Sequence, residues 1–350
     1  MTSDNKIYVV AEIGHNHKGS IEEAKKLFRE AKAAGANAVK LQKRDNKSLY
    51  TKKFYNQIYD NPNSYGETYG KHREALEFNF DQYKELQSYA KSIEIDFFAT
   101  PFDLNSLNFL EKLNMPAYKI ASADLTNSPL QEEIAKLSKP IFLSTGGGTM
   151  DDIRRAADLI LKHNSNLTIM HCTASYPARL QDMNLAVIKV LKQEFKNLRI
   201  GLSDHENGID AGVIAYMLGA RSFEKHFTLS HANKGTDHAF SLEPIGLVKF
   251  IRNIKRVEIM MGSENKKLLE SEIKPLHKMK KSIVAGKNLK INHIIKFEDL
   301  AFKSPGGGLE PYRYKEIIGQ KLSKDVHEDD LILLNDLKKW SLLIYEKKNK

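Results

Sequence analysis

Polar side chains that could carry chemistry recur where short apolar segments of this sequence end. Lysines and hydroxyl groups bind anions, histidines bind metal ions, and a buried carboxylate can transfer protons. The residues in question are Glu12, Lys40, Gln42, Thr100, Lys119, Ser122, Ser144, Ser203, His205 and His226. A hydrogen-bonded strand end explains any one of them, whereas their recurrence in segment after segment predicts one shared site.

Two lysines of this set, Lys40 and Lys119, predict an anion site. Together with the hydroxyl groups of Thr100, Ser122 and Ser144, they suit a ligand that carries a phosphate and a carboxylate. A lysine within a strand is costly to bury without an anionic partner. The alternative that both lysines merely pair with Asp or Glu therefore stays open.

Two histidines, His205 and His226, end consecutive segments and could hold one metal ion. Open coordination positions would then be left for substrate and water. His15 and His17 are alternative ligands, and a pair of hydrogen-bonded histidines without a metal also stays open. The single cysteine, Cys172, excludes an internal disulfide and a multi-cysteine zinc site, and no relay partner marks it as a nucleophile.

Up to about Gly262, short β-rich runs alternate with helical segments. This alternation predicts the fold that positions the polar residues. Eight β-then-α units favour a (β/α)₈ TIM barrel, in which the carboxyl ends of all strands meet at one face. The predicted strands are Ile7–Ile13, Ala38–Gln42, Phe97–Pro101, Ala117–Ser122, Ile141–Thr145, Thr168–Thr173, Ile200–Asp204 and Ser222–Thr228. The predicted helices are Ile21–Ala34, Phe80–Ile93, Leu104–Leu113, Pro129–Leu137, Met150–Lys162, Leu185–Phe195, Ala211–Leu218 and Pro244–Met260. The first strand is not followed by the GxGxxG turn of a dinucleotide-binding fold.

A length of 350 residues suits one large domain and a small appendage. The predicted parts are a barrel at 1–262, a linker at 263–281, a small β-rich domain at 282–337 and a tail at 338–350, for which a short helix is an alternative. In the small domain we expect strands at Ser282–Ala285 and Leu331–Leu334. The segment Lys43–Asn79 is too long for an ordinary barrel loop and should lie over the catalytic face.

The charge balance excludes some classes of function. Lys and Arg number 54 against 44 Asp and Glu, a net charge of +10, yet the basic residues are spread through helices and form no nucleic-acid-binding motif. Small anionic substrates therefore fit better than nucleic acid. No run approaches the roughly 18 apolar residues of a membrane helix, and Met1–Lys6 has no signal-peptide character. We expect a cytoplasmic protein without a membrane partner.

Eight ordered motifs carry a resemblance to a known family. They are AEIGHNHKGS (11–20), AVKLQ (38–42), FFATPFD (97–103), PAYKIAS (116–122), PIFLSTGG (140–147), HCTASYP (171–177), GLSDH (201–205) and EKHFTL (224–229). They resemble the sialic acid synthase family, which comprises N-acetylneuraminate synthase and its legionaminate and pseudaminate relatives. The runs SIVAGKNL (282–289) and KSPGGGL (303–309) resemble the small antifreeze-like (SAF) domain of that family.

The resemblance implies a reaction and a role for each matching residue. Phosphoenolpyruvate would condense with an N-acetylated hexosamine such as N-acetylmannosamine, in the presence of manganese or magnesium. His205 and His226 would hold the metal, and Glu12 would handle a proton. The phosphoenolpyruvate-binding positions would be Lys40, Thr100, Lys119, Ser122, Ser144 and Ser203, and the sugar-binding positions would be Gln42, Asp124, Tyr176 and Asp237.

The sequence departs from the family pattern at two positions. Ser304 stands where the neuraminate branch usually has an arginine, so Lys303 or Arg313 would have to replace it. Ala174 stands where Asn or Ser often contacts phosphate, so Ser175 or a water would supply that bond.

The resemblance also implies a homodimer in which the small domain crosses over to cap the partner's barrel. Two other functions stay open. One is pseudaminate or legionaminate synthesis from a 2,4-diacetamido-trideoxyhexose, and the other is a non-catalytic barrel that binds metal or sugar phosphate.

Overall fold

The computed structural model describes residues 6–338 and divides the chain into two compact units, Met1–Gly262 and Ser263–Lys350. The possible helix in the tail lies, apart from its first residue, outside the described residues. Among residues 6–338, none of the helices combines the length and the apolar character that a membrane span requires.

The first unit is a closed barrel of eight parallel strands that neighbour one another in chain order. The strands are β1 (Tyr8–Gly14), β2 (Ala38–Lys43), β3 (Asp96–Pro101), β4 (Tyr118–Ile120), β5 (Ile141–Ser144), β6 (Leu167–Cys172), β7 (Arg199–Asp204) and β8 (Ser222–His226). The helices are α1 (Ile21–Ala33), α2 (Asn46–Leu49), α3 (Lys52–Tyr55), α4 (Tyr69–Glu74), α5 (Phe80–Ser92), α6 (Leu104–Lys112), α7 (Ser128–Lys136), α8 (Met150–Leu161), α9 (Val187–Glu194), α10 (Asp210–Met217) and α11 (Pro244–Met261). The predicted TIM barrel is confirmed.

Alternation along the strands separates two apolar layers. On β1, Val9 and Ala11 join the large cluster between the strands and the helices, whereas Tyr8 and Val10 belong to a second cluster. That second cluster includes a stack of Tyr8 on Phe142, with ring centroids 5.9 Å apart. Because these side chains fill the barrel below the strand ends, the space for a ligand lies at the carboxyl ends.

Small residues set how closely the outer helices pack. Gly212 on α10 faces Phe250 on α11, and a Cβ atom there would lie 2.4 Å from Phe250 Cε2. Alanine therefore cannot fit without displacing one helix. The first helix begins at a serine cap, since Ser20 Oγ accepts a hydrogen bond from the Glu23 main-chain nitrogen at 3.3 Å.

The segment 43–79 is ordered by its own aromatic contacts and contains three short helices, α2 to α4. Phe54 packs on Tyr69 with ring centroids 4.6 Å apart, and Tyr59 packs on the same ring at 5.4 Å. Tyr65 Oη donates to the Lys234 carbonyl at 2.6 Å, which ties the segment to the loop after β8. The segment therefore lies at the carboxyl-terminal face of the barrel.

The second unit contains a two-stranded antiparallel sheet, β9 (Ser282–Ala285) and β10 (Leu300–Lys303), with helices α12 (Glu270–Met279) and α13 (Tyr314–Ile317). Its core includes Ile283, Leu289 and Ile332. The helix α12 occupies much of the stretch that the sequence indicated as a linker.

The predicted strand Leu331–Leu334 is wrong. Leu331 forms a single bridge with Val284, and the chain then turns into a 3₁₀ helix, Leu334–Asp336. The Asp336 carboxylate accepts a hydrogen bond from the Leu333 main-chain nitrogen at 3.0 Å. This local bond competes with strand pairing and ends the extended stretch.

Candidate active site

A cavity of about 530 Å³ opens at the carboxyl ends of the barrel strands. Every site residue predicted from the sequence lines it except Asp124. The lining includes Glu12, Lys40, Gln42, Thr100, Lys119, Ser122, Ser144, Tyr176, Ser203, His205, His226 and Asp237.

Strand register explains why these side chains meet. Glu12 on β1 is the register partner of Lys40 on β2 and of His226 on β8. Ser203 on β7 is opposite Glu224 on β8 in the same way. Parallel strands with these partners project their side chains into the barrel at one level, which makes a single layer of functional groups.

Both buried lysines are ion-paired with glutamates inside this layer. Lys40 Nζ lies 2.7 Å from Glu12 Oε2 and 3.7 Å from Glu224 Oε1, and Lys119 Nζ lies 3.2 Å from Glu224 Oε1. The pairing that the sequence left open is therefore present. Lys40 Nζ also donates to Thr100 Oγ1 at 2.9 Å, so the ammonium group faces both a carboxylate and a hydroxyl group.

The two glutamates differ in how readily they hold a proton. Burial raises the pKa of Glu12, against the opposing effect of Lys40, and the charge of Glu224 raises it further. Burial also acts to raise the pKa of Glu224, but the charges of Lys119 and Lys40 lower it to about 2. Two neighbouring carboxyl groups with oppositely shifted pKa values suit different tasks, one as a proton carrier and one as a permanent anion.

The hydroxyl groups in the cavity are placed to receive a ligand. Ser144 Oγ is buried and has no hydrogen-bond partner within residues 6–338. Ser122 Oγ accepts from the Gly146 main-chain nitrogen at 3.0 Å, and the Ser122 side chain also forms a hydrogen bond with Cys172. A buried hydroxyl group without a partner is costly, which favours a bound ligand at this position.

The two predicted metal-binding histidines lie side by side, with ring centroids 5.3 Å apart. His205 Nδ1 lies 2.8 Å from the Thr173 carbonyl oxygen, which directs Nε2 away from that strand end. His226 Nδ1 is buried without a hydrogen-bond partner in the described range and lies 3.7 Å from Asp237 Oδ2. Burial lowers the pKa of His226 to about 3, so its imidazole is neutral, as a metal ligand must be.

The donor set around the histidines fits a metal held by few protein ligands. Among residues 6–338 no three His, Cys, Asp or Glu side chains surround one metal-sized point. Substrate and water would have to supply the remaining ligands. The alternative ligands His15 and His17 are not among the residues that line the cavity. His15 contacts Arg44 and Arg73, and His17 stacks on Phe78 with ring centroids 4.2 Å apart.

The structure gives Cys172 a neighbour that the sequence did not indicate. Its Sγ atom lies 3.8 Å from His205 Nδ1. Burial acts to raise the pKa of the thiol, but the hydrogen bond and charge of His205 outweigh it and lower that pKa. The strands that carry Cys172 and His205 are adjacent, a relation that only the barrel topology reveals.

Asp124 and Ser175 are not among the residues that line the cavity, although each adjoins one that does. Asp124 is buried in the turn after β4, where its Oδ1 accepts from Asn127 Nδ2 at 2.9 Å. Ser175 Oγ donates to the Pro177 carbonyl at 3.1 Å, whereas Ala174 does line the cavity.

In the second unit, both cations that could replace the usual arginine are already ion-paired. Lys303 pairs with Asp329, and Arg313 Nη2 lies 2.7 Å from Glu316 Oε2. Ser304 Oγ accepts a hydrogen bond from Lys281 Nζ at 2.7 Å.

Two arginines that line the cavity escaped the sequence analysis. Arg44 follows β2 directly, so the rule that polar residues at strand ends are functional could have found it. Arg73 lies on α4, within a segment whose fold the sequence did not indicate.

Comparison with known proteins agrees with this geometry. The sequence profile of the NeuB family matches residues 27–266, and that of the SAF domain matches residues 280–338. The N-acetylneuraminate-9-phosphate synthase of Drosophila melanogaster is 37% identical over 358 aligned positions, and the alignment covers 95% of this chain and 96% of the relative. The N,N'-diacetyllegionaminic acid synthase of Campylobacter jejuni is 38% identical over 331 residues, 93% of this chain and 99% of the relative.

Among solved structures, the N-acetylneuraminic acid synthetase of Leptospira borgpetersenii matches with a TM-score of 0.68 at 30% identity, over 78% of this chain and 91% of that chain. The resemblance to the sialic acid synthases is confirmed. The chain belongs to the NeuB family, and a SAF domain follows its barrel.

Proposed function

We propose that this protein condenses phosphoenolpyruvate with an N-acetylated hexosamine, N-acetylmannosamine in the first instance, to give a nine-carbon 2-keto sugar acid and phosphate. The observation that carries the proposal is the single buried layer in which two lysines, two glutamates and two histidines meet at the cavity. Family membership supports the same chemistry.

The chemical steps balance without an external oxidant or reductant. The methylene carbon of phosphoenolpyruvate forms a bond to the aldehyde carbon of the open-chain sugar, and the aldehyde oxygen takes up a proton. Water adds to the cationic carbon that results and loses a proton. The tetrahedral intermediate then releases phosphate by cleavage of its C–O bond, which leaves the 2-keto acid.

Lys40 and Lys119 would hold the phosphate and carboxylate of phosphoenolpyruvate, with hydroxyl groups of Thr100, Ser122, Ser144 and Ser203 completing the site. In the free protein the two ammonium groups are neutralised by glutamates, so an incoming anion must share them. Burial raises the pKa of Glu12, which favours release of its hold on Lys40 when the anion binds.

Glu12 would be the proton carrier of the reaction, on water or on the sugar oxygen. Its Oε1 accepts from Gln42 Nε2 at 2.7 Å, which fixes the carboxyl group beside a proposed sugar-binding residue. Gln42, Tyr176 and Asp237 would bind hydroxyl or amide groups of the acceptor. Asp124 would join them from the turn after β4, beside the lining residue Ala123, where its Oδ2 has no hydrogen-bond partner in the described range.

His205 and His226 would hold the divalent cation, manganese or magnesium. When bound there, the cation would polarise the aldehyde oxygen of the sugar. Tyr176 packs on His205 with ring centroids 4.1 Å apart and would keep the imidazole in place while shielding it from water.

A 2,4-diacetamido-trideoxyhexose is the second candidate acceptor. The 38% identity to a diacetyllegionaminic acid synthase favours it, and the replacement of the usual lid arginine by Ser304 removes a contact expected of the neuraminate branch. The remainder of the proposed site is common to both acceptors.

We further propose a cytoplasmic homodimer in which the SAF domain of one chain caps the barrel of the other. A capping domain would exclude water from the anionic intermediates. Light scattering should give twice the mass of one chain, and a monomeric mass for fully active protein would contradict this part of the proposal.

The experiment is phosphate release from phosphoenolpyruvate by metal-stripped protein re-supplied with manganese or magnesium, with each acceptor in turn. We expect release with a sugar, loss of release in His205→Ala, and retention in His163→Ala, an exposed histidine of the same barrel outside the cavity. Release without any sugar, or full activity in His205→Ala, would contradict the proposal.

A further inference from the structure

Two charged residues lie directly behind the two histidines of the cavity. Asp204 ends β7 and precedes His205, and Lys225 precedes His226 on β8. Asp204 and Lys225 are register partners on these adjacent strands. Successive side chains of a strand face opposite sides, and both histidines line the cavity. Asp204 and Lys225 therefore face the helices instead of the cavity.

The layer that receives this pair is the large apolar cluster between the strands and the helices. Leu202 and Phe223, register partners two residues earlier on the same strands, belong to that cluster. The side chains of Asp204 and Lys225 are fully buried. A buried ion pair adds little to stability, because the cost of removing both charges from water offsets their attraction. Stability alone is therefore a poor reason for a charged pair at these positions.

The pair holds the main chain on both sides of His205. Lys225 Nζ donates to Asp204 Oδ2 at 2.7 Å and to the Glu206 carbonyl oxygen. The Glu206 main-chain nitrogen donates to Asp204 Oδ1 at 2.9 Å. Both carboxylate oxygens and both main-chain polar groups of Glu206 are thus bound in one network. This network ties the chain around His205 to β8, the strand that carries His226.

We propose that Lys225 and Asp204 are positioning residues, which fix the two histidines relative to each other and thereby set the affinity for the divalent cation. This inference rests on the proposed function, which assigns the cation to His205 and His226. Within residues 6–338 no third His, Cys, Asp or Glu side chain joins them at one metal-sized point. A shift of either imidazole could therefore not be compensated by another of these side chains.

The pair can be removed without leaving a buried charge. Lys225→Met alone leaves the Asp204 carboxylate unpaired and should lower the melting temperature. The double variant, Lys225→Met with Asp204→Asn, is uncharged at nearly constant volume and should recover much of that loss. The introduced amide can still accept from the Glu206 nitrogen, whereas the ammonium bonds to Asp204 and to the Glu206 carbonyl are gone.

The measurement is a manganese titration of the metal-stripped full chain, in which the electron paramagnetic resonance signal reports the free ion. We expect the Kd for manganese to rise about 10–100-fold in the folded double variant, the usual effect of removing a group that orients a metal ligand. His205→Ala gives the loss expected when a ligand itself is removed. The matched control, Lys287→Met with Asp299→Asn, breaks an ion pair of 2.8 Å in the second unit and should keep the parental Kd.

The titration separates a positioning role from a purely structural one. If the pair only stabilised the fold, manganese affinity would recover together with the melting temperature. Parental affinity in the double variant, with affinity lost in His205→Ala, would overturn the inference and leave the proposed function standing. Parental affinity in His205→Ala would overturn the proposed metal site and the inference with it.

A second variant covers the case in which the double variant does not fold. Asp204→Asn alone keeps the bond from the Glu206 nitrogen but weakens the bond between the strands. A weakened manganese affinity in this variant supports the inference, and a parental affinity overturns it.

Discussion

Replacing Glu12 by glutamine should remove the proposed proton carrier while keeping its volume. The parent carboxyl group is fully buried, pairs with Lys40 Nζ at 2.7 Å and accepts from Gln42 Nε2 at 2.7 Å. The glutamine oxygen can still accept one of these bonds, but the side chain cannot exchange a proton near neutral pH.

The expected losses of activity and stability follow from the contacts that Glu12→Gln breaks and those that it keeps. Loss of general acid–base catalysis lowers kcat by about 10²–10⁴-fold, which corresponds to about 3–5 kcal/mol in the activation barrier. Stability should change less, by about 1–3 kcal/mol, because Lys40 keeps Thr100 at 2.9 Å and Glu224 at 3.7 Å. Affinity for phosphoenolpyruvate should be equal or higher, since Lys40 loses a competing anion.

The assay is steady-state phosphate release together with thermal unfolding of the same preparations. Asp299→Asn serves as the control, because Asp299 is a buried carboxylate paired with Lys287 at 2.8 Å in the second unit, outside the cavity. That variant should lose stability and keep its turnover. A Glu12→Gln protein with parental kcat would refute the assignment of the proton carrier, and so would a loss of turnover fully explained by unfolding.

Three further predictions test the scaffold of the site. Lys119→Met should lower the free energy of unfolding by about 3–5 kcal/mol, because the buried Glu224 charge is left poorly compensated. In denaturant unfolding, the double variant with Glu224→Gln should recover much of that loss. No recovery would refute the pairing. Burial holds the pKa of His17 at about 3, so the unfolded state takes up a proton below pH 6.5 and the free energy of unfolding should fall from there towards pH 3. His17→Gln should reduce that slope, and an unchanged slope would show that another group titrates. Gly212→Ala should lower the free energy of unfolding by about 1–3 kcal/mol, because the added methyl group overpacks against Phe250. Thermal unfolding should show a lower melting temperature, and a neutral effect would show that the two helices can separate.

The barrel could be predicted from the sequence because short β-rich runs alternate with longer segments of helical period, eight times in succession. The predicted bounds of β2 and β7 differ from the observed ones by one residue at a single end. The layer of site residues followed from the same pattern, since parallel strands bring their carboxyl ends together. Glu12, Lys40 and His226 are register partners for that reason.

Features that depend on tertiary structure could not be predicted. Arg73 reaches the cavity because aromatic side chains fold the segment 43–79 over the barrel, and nothing in the local pattern indicates that fold. The contact of Cys172 with His205 arises from strands that are adjacent in the barrel. The apolar run Leu331–Leu334 resembles a strand in sequence. In the structure, the Asp336 carboxylate accepts a hydrogen bond from the Leu333 main-chain nitrogen, and this bond decides the local structure.

The most direct test of the central claim follows the bridging oxygen of phosphoenolpyruvate. With that oxygen isotopically labelled, the protein, a divalent metal and the acceptor should give a nine-carbon 2-keto acid and an equal amount of phosphate. Mass spectrometry should find the label in the phosphate, because water adds to the carbon and the C–O bond breaks. Label retained in the keto acid, or phosphate released without a nine-carbon product, would contradict the account.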